Sequence, residues 1–188
     1  MTSNRLAVIR EAEQINASHV FTNVHNISFL KYEDDRLDSV DVIKLQRNLT
    51  QLIRELRPDI ILTFSPETDY YAFRYGVVHS DHQTTGRSVL NCVWPSIRDY
   101  LNFIELYEDN ILPWIVPQLW LFSFSDALST YDILINIDGK YFDEKAESLL
   151  QHKSQYSSKE DVIKDLRSLG KFVANINKIN QKKDFRLN

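Results

Sequence analysis

Residues 77–86 read VVHSDHQTTG and place two histidines, His79 and His82, three positions apart, with Asp81 directly before the second. Imidazole is the commonest protein ligand for zinc-like cations and can also polarise a carbonyl. A carboxylate between two imidazoles can fix a tautomer or hold a positive charge in place. If a helix starts at this segment, residues three apart face the same way and the rings lie close together. The bland alternative is a polar helix start carrying two surface histidines.

The elements around the segment argue for a site. SVDVIKLQRNLTQLIREL (39–56) has Val42, Leu45, Leu49, Leu52, Ile53 and Leu56 on one helical stripe. Asp38 or Ser39 is the expected N-cap, and Pro58 stops the helix. DIILTF (59–64) follows as an apolar run typical of a parallel strand covered on both faces. The histidines come after the carboxyl end of that strand, where open α/β sheets build their binding crevices. Residues 4–18 read as a short helix with a polar face and NISFLKY (26–32) as a buried strand. Residues 83–104 read as helical, with a kink or a division into two helices at Pro95. QLWLFSF (118–124) and DILINI (132–137) read as strands, and 141–155 as a helix. A last helix opens at Ser158, with Asp161 completing a capping box. Leu169, Val173 and Ile176 extend its apolar face. Alternating helices and strands predict an α/β domain, and the length of 188 residues suits a single one.

Composition narrows the function classes. Net charge is −4 and pI about 5.7, which speaks against a nucleic-acid backbone or an anionic membrane as main partner. The lone cysteine, Cys92, excludes an internal disulfide and a multi-cysteine zinc site, and suits a reducing compartment; a cytoplasmic location is the expectation. No apolar run approaches the ~20 residues of a membrane span, and the charged start does not read as a secretory signal.

Several pieces together resemble the LmbE-like (PIG-L) family of metal-dependent N-acetylglucosaminyl deacetylases. They are LRPDIILTFSPE followed by HSDHQTTG, IREAE with Arg10 and Glu13, ISFLKYEDDRL, and FDEKAESLLQHKSQ with Lys145, Ala146, His152, Ser154 and Gln155. Their order agrees with the family from about residue 5 to residue 156. The resemblance implies a three-layer, Rossmann-like, mostly parallel sheet with helices on both faces. It implies hydrolysis of the acetamide of an N-acetylated sugar with zinc or a similar divalent cation. By that likeness His82 is a metal ligand, His79 stabilises the oxyanion, and Asp81 orients and charges His79. Arg10 is the candidate for a substrate hydroxyl or phosphate, with a salt bridge to Glu13 as its alternative.

One departure stands out. The family's A-H-P-D-D-E signature, which supplies two further metal ligands and the general base, does not occur in this sequence. The expectation is therefore a family domain lacking its first strand or strands. Catalytic zinc needs three protein ligands and an open position, so His82 alone cannot hold the ion. Glu33, Asp34 and Asp35 of YEDDRL are read as a solvated acidic turn, the other reading being a stand-in for the missing ligands. The missing ligands are expected from a second, complementing polypeptide or from an upstream part of the same gene product, and dimerisation through the exposed sheet edge is the expected consequence of the missing strand. The competing function is a non-catalytic remnant that binds carbohydrate or a partner; a mis-started chain that folds poorly alone is a third reading. His19, His25 and His152 read as structural or surface residues, with His152 on a helix face at the pocket rim. Tyr75, Trp114 and Trp120 could stack a sugar, although packing is the default. Loops 66–78 and 105–118 are where specificity would be set.

Overall fold

A computed structural model describes residues 3–21, 23–24, 26–66, 79–122, 133, 135, 139–168 and 170. The chain divides into two compact units, Met1–Phe29 with Ala127–Asn188, and Leu30–Asp126.

The second unit carries the helix–strand–helix frame read from the sequence. Helix α2 is Val42–Leu56. Its cap is Asp41, whose carboxylate accepts the N–H groups of Ile43 and Lys44. Asp38 and Ser39 fall instead in a 3₁₀ turn, Leu37–Ser39, where the Ser39 hydroxyl turns back to the Arg36 carbonyl. Arg57 ends α2 in the left-handed conformation (φ 49°), donating to the Ile53 carbonyl just before Pro58. Strand β1, Ile60–Phe64, pairs in parallel with β2, Gln118–Phe122, in the register Ile60 to Gln118 through Phe64 to Phe122. A parallel pair needs a crossover. Here it runs through helix α3 (Ser80–Asn91), a π-helical turn (Cys92–Ser96) and a short helix α4 (Ile104–Glu108).

One face of β1 is packed and the other is not. Thr63 is buried, and Ile61 lies against Ile53, Cys92 and Ile97, the centre of this unit's core. Ile60 and Leu62 are exposed, so the strand is not covered on both faces. Pro95 breaks the helix as expected: Trp94 before it is extended (φ −142°, ψ 119°), the conformation that a following proline ring enforces. Arg54, only 2 % exposed, reaches out of α2 and donates to the carbonyls of Ser96, Asp99 and Asn102, tying down the chain after the kink.

The stretch 26–32 forms no strand. Lys31 takes φ 60°, which interrupts an extended run. DILINI lies almost wholly outside the described residues, as do Tyr75, His25, residues 67–78, and Leu169, Val173 and Ile176 of the last helix.

The first unit holds α1 (Ser3–His19), α5 (Gly139–Leu150) and helical residues 159–168, here α6. Ala146, Val162 and Leu166 form its core, flanked by Phe142, Leu149, Leu150 and Tyr156. Half of the expected capping box of α6 is shown: the Ser158 hydroxyl accepts the Asp161 N–H, but the Asp161 carboxylate accepts the Ser158 hydroxyl and not its backbone N–H. Helix α5 ends at Leu150, so His152, Ser154 and Gln155 sit in the following turn and not on a helix face. The described residues thus give a mixed α/β fold with a two-stranded parallel sheet. No helix among them is long and apolar enough to cross a membrane.

Candidate functional site

The end of β1 and the start of α3 meet at one glycine. A Cβ on Gly86 would stand 2.2 Å from the Phe64 carbonyl oxygen and 3.1 Å from the Pro66 nitrogen. Only glycine lets the helix approach the strand tip this closely. That approach carries the first turn of α3 over the last residue of β1.

His79 is the N-cap of α3, extended at φ −91°, ψ 131°. Its Nδ1 accepts the Asp81 N–H at 3.2 Å, and its carbonyl accepts from His82 and Gln83. A ring nitrogen that accepts an N–H cannot itself carry a proton, so the other nitrogen, Nε2, is the protonated or ligating one. Nε2 lies 3.6 Å from Asp35 Oδ1. His82, one turn into the helix, lies flat on Phe64, with ring centroids 4.0 Å apart and planes 4° apart. Phe64 in turn touches Phe122 at the end of β2. The two imidazoles are 5.3 Å apart. They therefore sit together at the carboxyl tips of the paired strands. Burial lowers the pKa of His82, helped by its neighbour His79 and opposed by Asp81 and Asp34. Near neutral pH His82 is an uncharged imidazole.

Asp81 has a task the sequence does not reveal. Its Oδ2 accepts the Asp35 N–H at 2.8 Å and its Oδ1 accepts the Leu37 N–H at 3.0 Å. One carboxylate thereby pins the acidic turn, some 45 residues earlier in the chain, to the start of α3. Asp81 meets His79 through its backbone N–H. The turn keeps its side chains solvated, with Asp35 82 % exposed, yet its backbone is anchored. Asp34, His79 and Asp81 consequently offer ligand-type atoms within 4.8 Å of one another, a grouping that could hold a metal ion. His82 is outside that group. The acidic turn was visible in the sequence, but nothing local marks it as the neighbour of HSDH.

Arg10 belongs to the first unit, the other site residues to the second. The Gln155 amide, with its oxygen turned toward Arg10, accepts from both terminal guanidinium nitrogens at 3.1 and 3.3 Å. Glu13, 7 % exposed, accepts the Ser154 N–H and hydroxyl, each at 2.7 Å. The Ser154 bonds pull the Glu13 carboxyl below its ordinary pKa. The two motif segments around Arg10 and Gln155 thus clasp each other. Trp114 is half-buried and donates to the Pro58 carbonyl under the Arg57 guanidinium, a packing role, while Trp120 donates to its own strand's Gln118.

The model of the PIG-L family, described as GlcNAc-PI de-N-acetylase, matches residues 1–93. That span runs from α1 through the acidic turn, α2 and β1 to the end of α3, and so includes the whole HSDH segment. None of the curated proteins matches the chain.

Proposed function

Through residues 1–93 the chain belongs to the PIG-L family, and on that premise we propose that it is a de-N-acetylase acting on an N-acetylglucosamine-like sugar. The reaction is amide hydrolysis. Water adds to the acetamide carbon, the C–N bond breaks, and acetate and the free amino sugar leave. The observation that carries this reading is the pair of imidazoles, 5.3 Å apart, with His82 stacked on Phe64 at the strand tip.

Each part of the cluster suits the chemistry. His82 is uncharged and partly desolvated, so it can take the proton that the attacking water loses and then, as imidazolium, pass it to the departing amine. His79 is held by the Asp81 N–H, which sets the direction of Nε2 without further ordering at the moment of reaction. The N-terminus of α3 adds a positive end beside the developing negative charge. One imidazole and two carboxylates within 4.8 Å form a donor set that suits a divalent cation. Such an ion supplies Lewis acidity and an easily ionised water. One imidazole of the pair then serves the cation and the other faces the carbonyl.

The test is acetate release from an N-acetylglucosaminyl conjugate by protein supplied with Zn²⁺ or Mn²⁺. Loss of a positioned acid–base or oxyanion group costs about 10²–10⁴ in rate. His79→Ala and His82→Ala should each fall by at least about 100-fold. Wild-type rates in both variants, or no acetate from folded wild type, would refute the assignment.

A further inference from the structure

We infer that Phe64 is a positioning residue for the reaction: its ring, backed by Phe122, sets the plane of the His82 imidazole. What that plane serves rests on the de-N-acetylase reading. The orientation itself rests on geometry alone.

Phe122, Phe64 and His82 form a column of rings at the strand tips. Phe64 and Phe122 are register partners and the last residues of β1 and β2. Partners across a ladder project to the same face of a sheet. These two rings meet at 4.6 Å, with planes tilted by 47°. The ladder runs on past them, because the Ser65 N–H donates to the Phe122 carbonyl at 2.9 Å. The backbone beneath both rings is therefore fixed. His82 lies on the outer ring of this base, 4.0 Å from Phe64 between centroids and only 4° from parallel.

Neither partner of that stack can drift. The ladder holds Phe64. Helix α3 holds His82, and Gly86, one turn further on, brings that helix against the Phe64 carbonyl. Face contact with a flat ring lets an imidazole slide within its own plane but opposes tipping out of it. Both ring nitrogens lie in that plane, so the directions of the N–H and the lone pair are set with it. His79 is oriented by another device, the Asp81 N–H on its Nδ1. The two imidazoles, 36° apart in plane, are thus aimed separately, one by a hydrogen bond and one by a stack. Ligation and proton transfer alike need a nitrogen aimed to within about 10–20°, so Phe64 matters whichever task His82 performs. Leucine at position 64 would fill similar space but offer no flat face.

The experiment is steady-state acetate release from an N-acetylglucosaminyl conjugate with Zn²⁺ supplied. It uses the full chain as wild type, Phe64→Leu, Phe64→Tyr and Ile61→Val, with Tm and the His82 ring signals by NMR recorded for each. Phe64→Leu should lose about 10- to 100-fold in kcat, with KM within about 3-fold of wild type. Phe64→Tyr keeps a flat ring and should hold kcat within about 3-fold. Ile61 packs on Ile53, Cys92 and Ile97, so Ile61→Val should lower Tm and leave kcat unchanged. In wild type and Phe64→Tyr the His82 ring protons, lying over an aromatic face, should resonate upfield of free histidine. In Phe64→Leu they should return downfield. Wild-type kcat in Phe64→Leu overturns the inference. So does a kcat loss shared equally by Phe64→Tyr or Ile61→Val, or a wild-type His82 at the shifts of free histidine. Upfield His82 signals with no acetate from wild type instead overturn the reaction and leave the orientation by Phe64 standing.

Discussion

Replacing Gly86 with alanine perturbs the closest joint in the site. The added Cβ meets the Phe64 carbonyl oxygen at 2.2 Å and the Phe64 carbonyl carbon at 3.0 Å. These are backbone atoms of a paired strand and cannot swing away. Ordinary carbon–oxygen contact begins more than about 1 Å further out, so α3 must lift from the strand tip. Overpacking of this kind costs about 1–3 kcal/mol, against a gain of about 1 kcal/mol from alanine's helix propensity. A clash of 2.2 Å with fixed backbone belongs at the upper end of that range, so the net loss is about 2 kcal/mol, or roughly 4–8 °C in Tm for a chain of this size. The lift also separates His82 from Phe64, now 4.0 Å apart. Catalysis should fall further than stability, because misplacing a reacting group by about 1 Å costs about 100-fold. The assay is thermal unfolding and acetate release of Gly86→Ala beside Gly139→Ala, whose Cβ would meet nothing within 4 Å. The Gly139 variant should match or exceed wild type. A Gly86 variant with wild-type Tm and full activity would refute the close approach.

Other outcomes test single interactions. Burial pushes the Cys92 thiol from an ordinary 9.0 up to about 11. A raised acid stabilises the fold fully below pH 9, and that contribution is lost as pH rises through 11. At about 1.4 kcal/mol per pH unit the loss approaches about 3 kcal/mol, so the gap between wild type and Cys92→Ala in urea should shift between pH 8 and pH 10.5. An unchanged gap argues against a buried thiol. Glu13 is held below its ordinary pKa of 4.5, chiefly by the Ser154 hydroxyl. Its contribution is present above pH 4.5 and lost as pH falls through the lowered value, so Glu13→Gln should be less stable than wild type at pH 6 and equal to it in strong acid. Asp41→Ala removes the cap of α2 and should cost about 1 kcal/mol in chemical denaturation, whereas Ser39→Ala should cost little; the reverse order would contradict the cap assignment.

What the sequence made legible was local. Period and breakers located α2, β1, the kink at Pro95 and α3, because apolar spacing and proline geometry act within a few residues. The same logic failed at 26–32, an apolar run that is not strand in the structure and in which Lys31 turns left-handed. It also put the cap at Asp38 or Ser39, three positions or fewer from Asp41, since all are good capping residues and only the backbone decides. The HSDH pair was readable as chemistry, and its place at the strand tip followed from the order of elements. Three features needed the folded chain. Asp81 anchors a turn some 45 residues away, Arg54 collects carbonyls from beyond the kink, and Gly86 owes its identity to Phe64. No short-range pattern encodes a partner that distant.

The most direct measurement is side-chain NMR of the full chain with labelled histidine and phenylalanine, titrated with N-acetylglucosamine. Binding at the strand tips should shift the ring signals of His79, His82 and Phe64 together along one saturation curve. Saturable binding that leaves those three rings unchanged would place the sugar elsewhere and remove the physical basis for a de-N-acetylase site at HSDH.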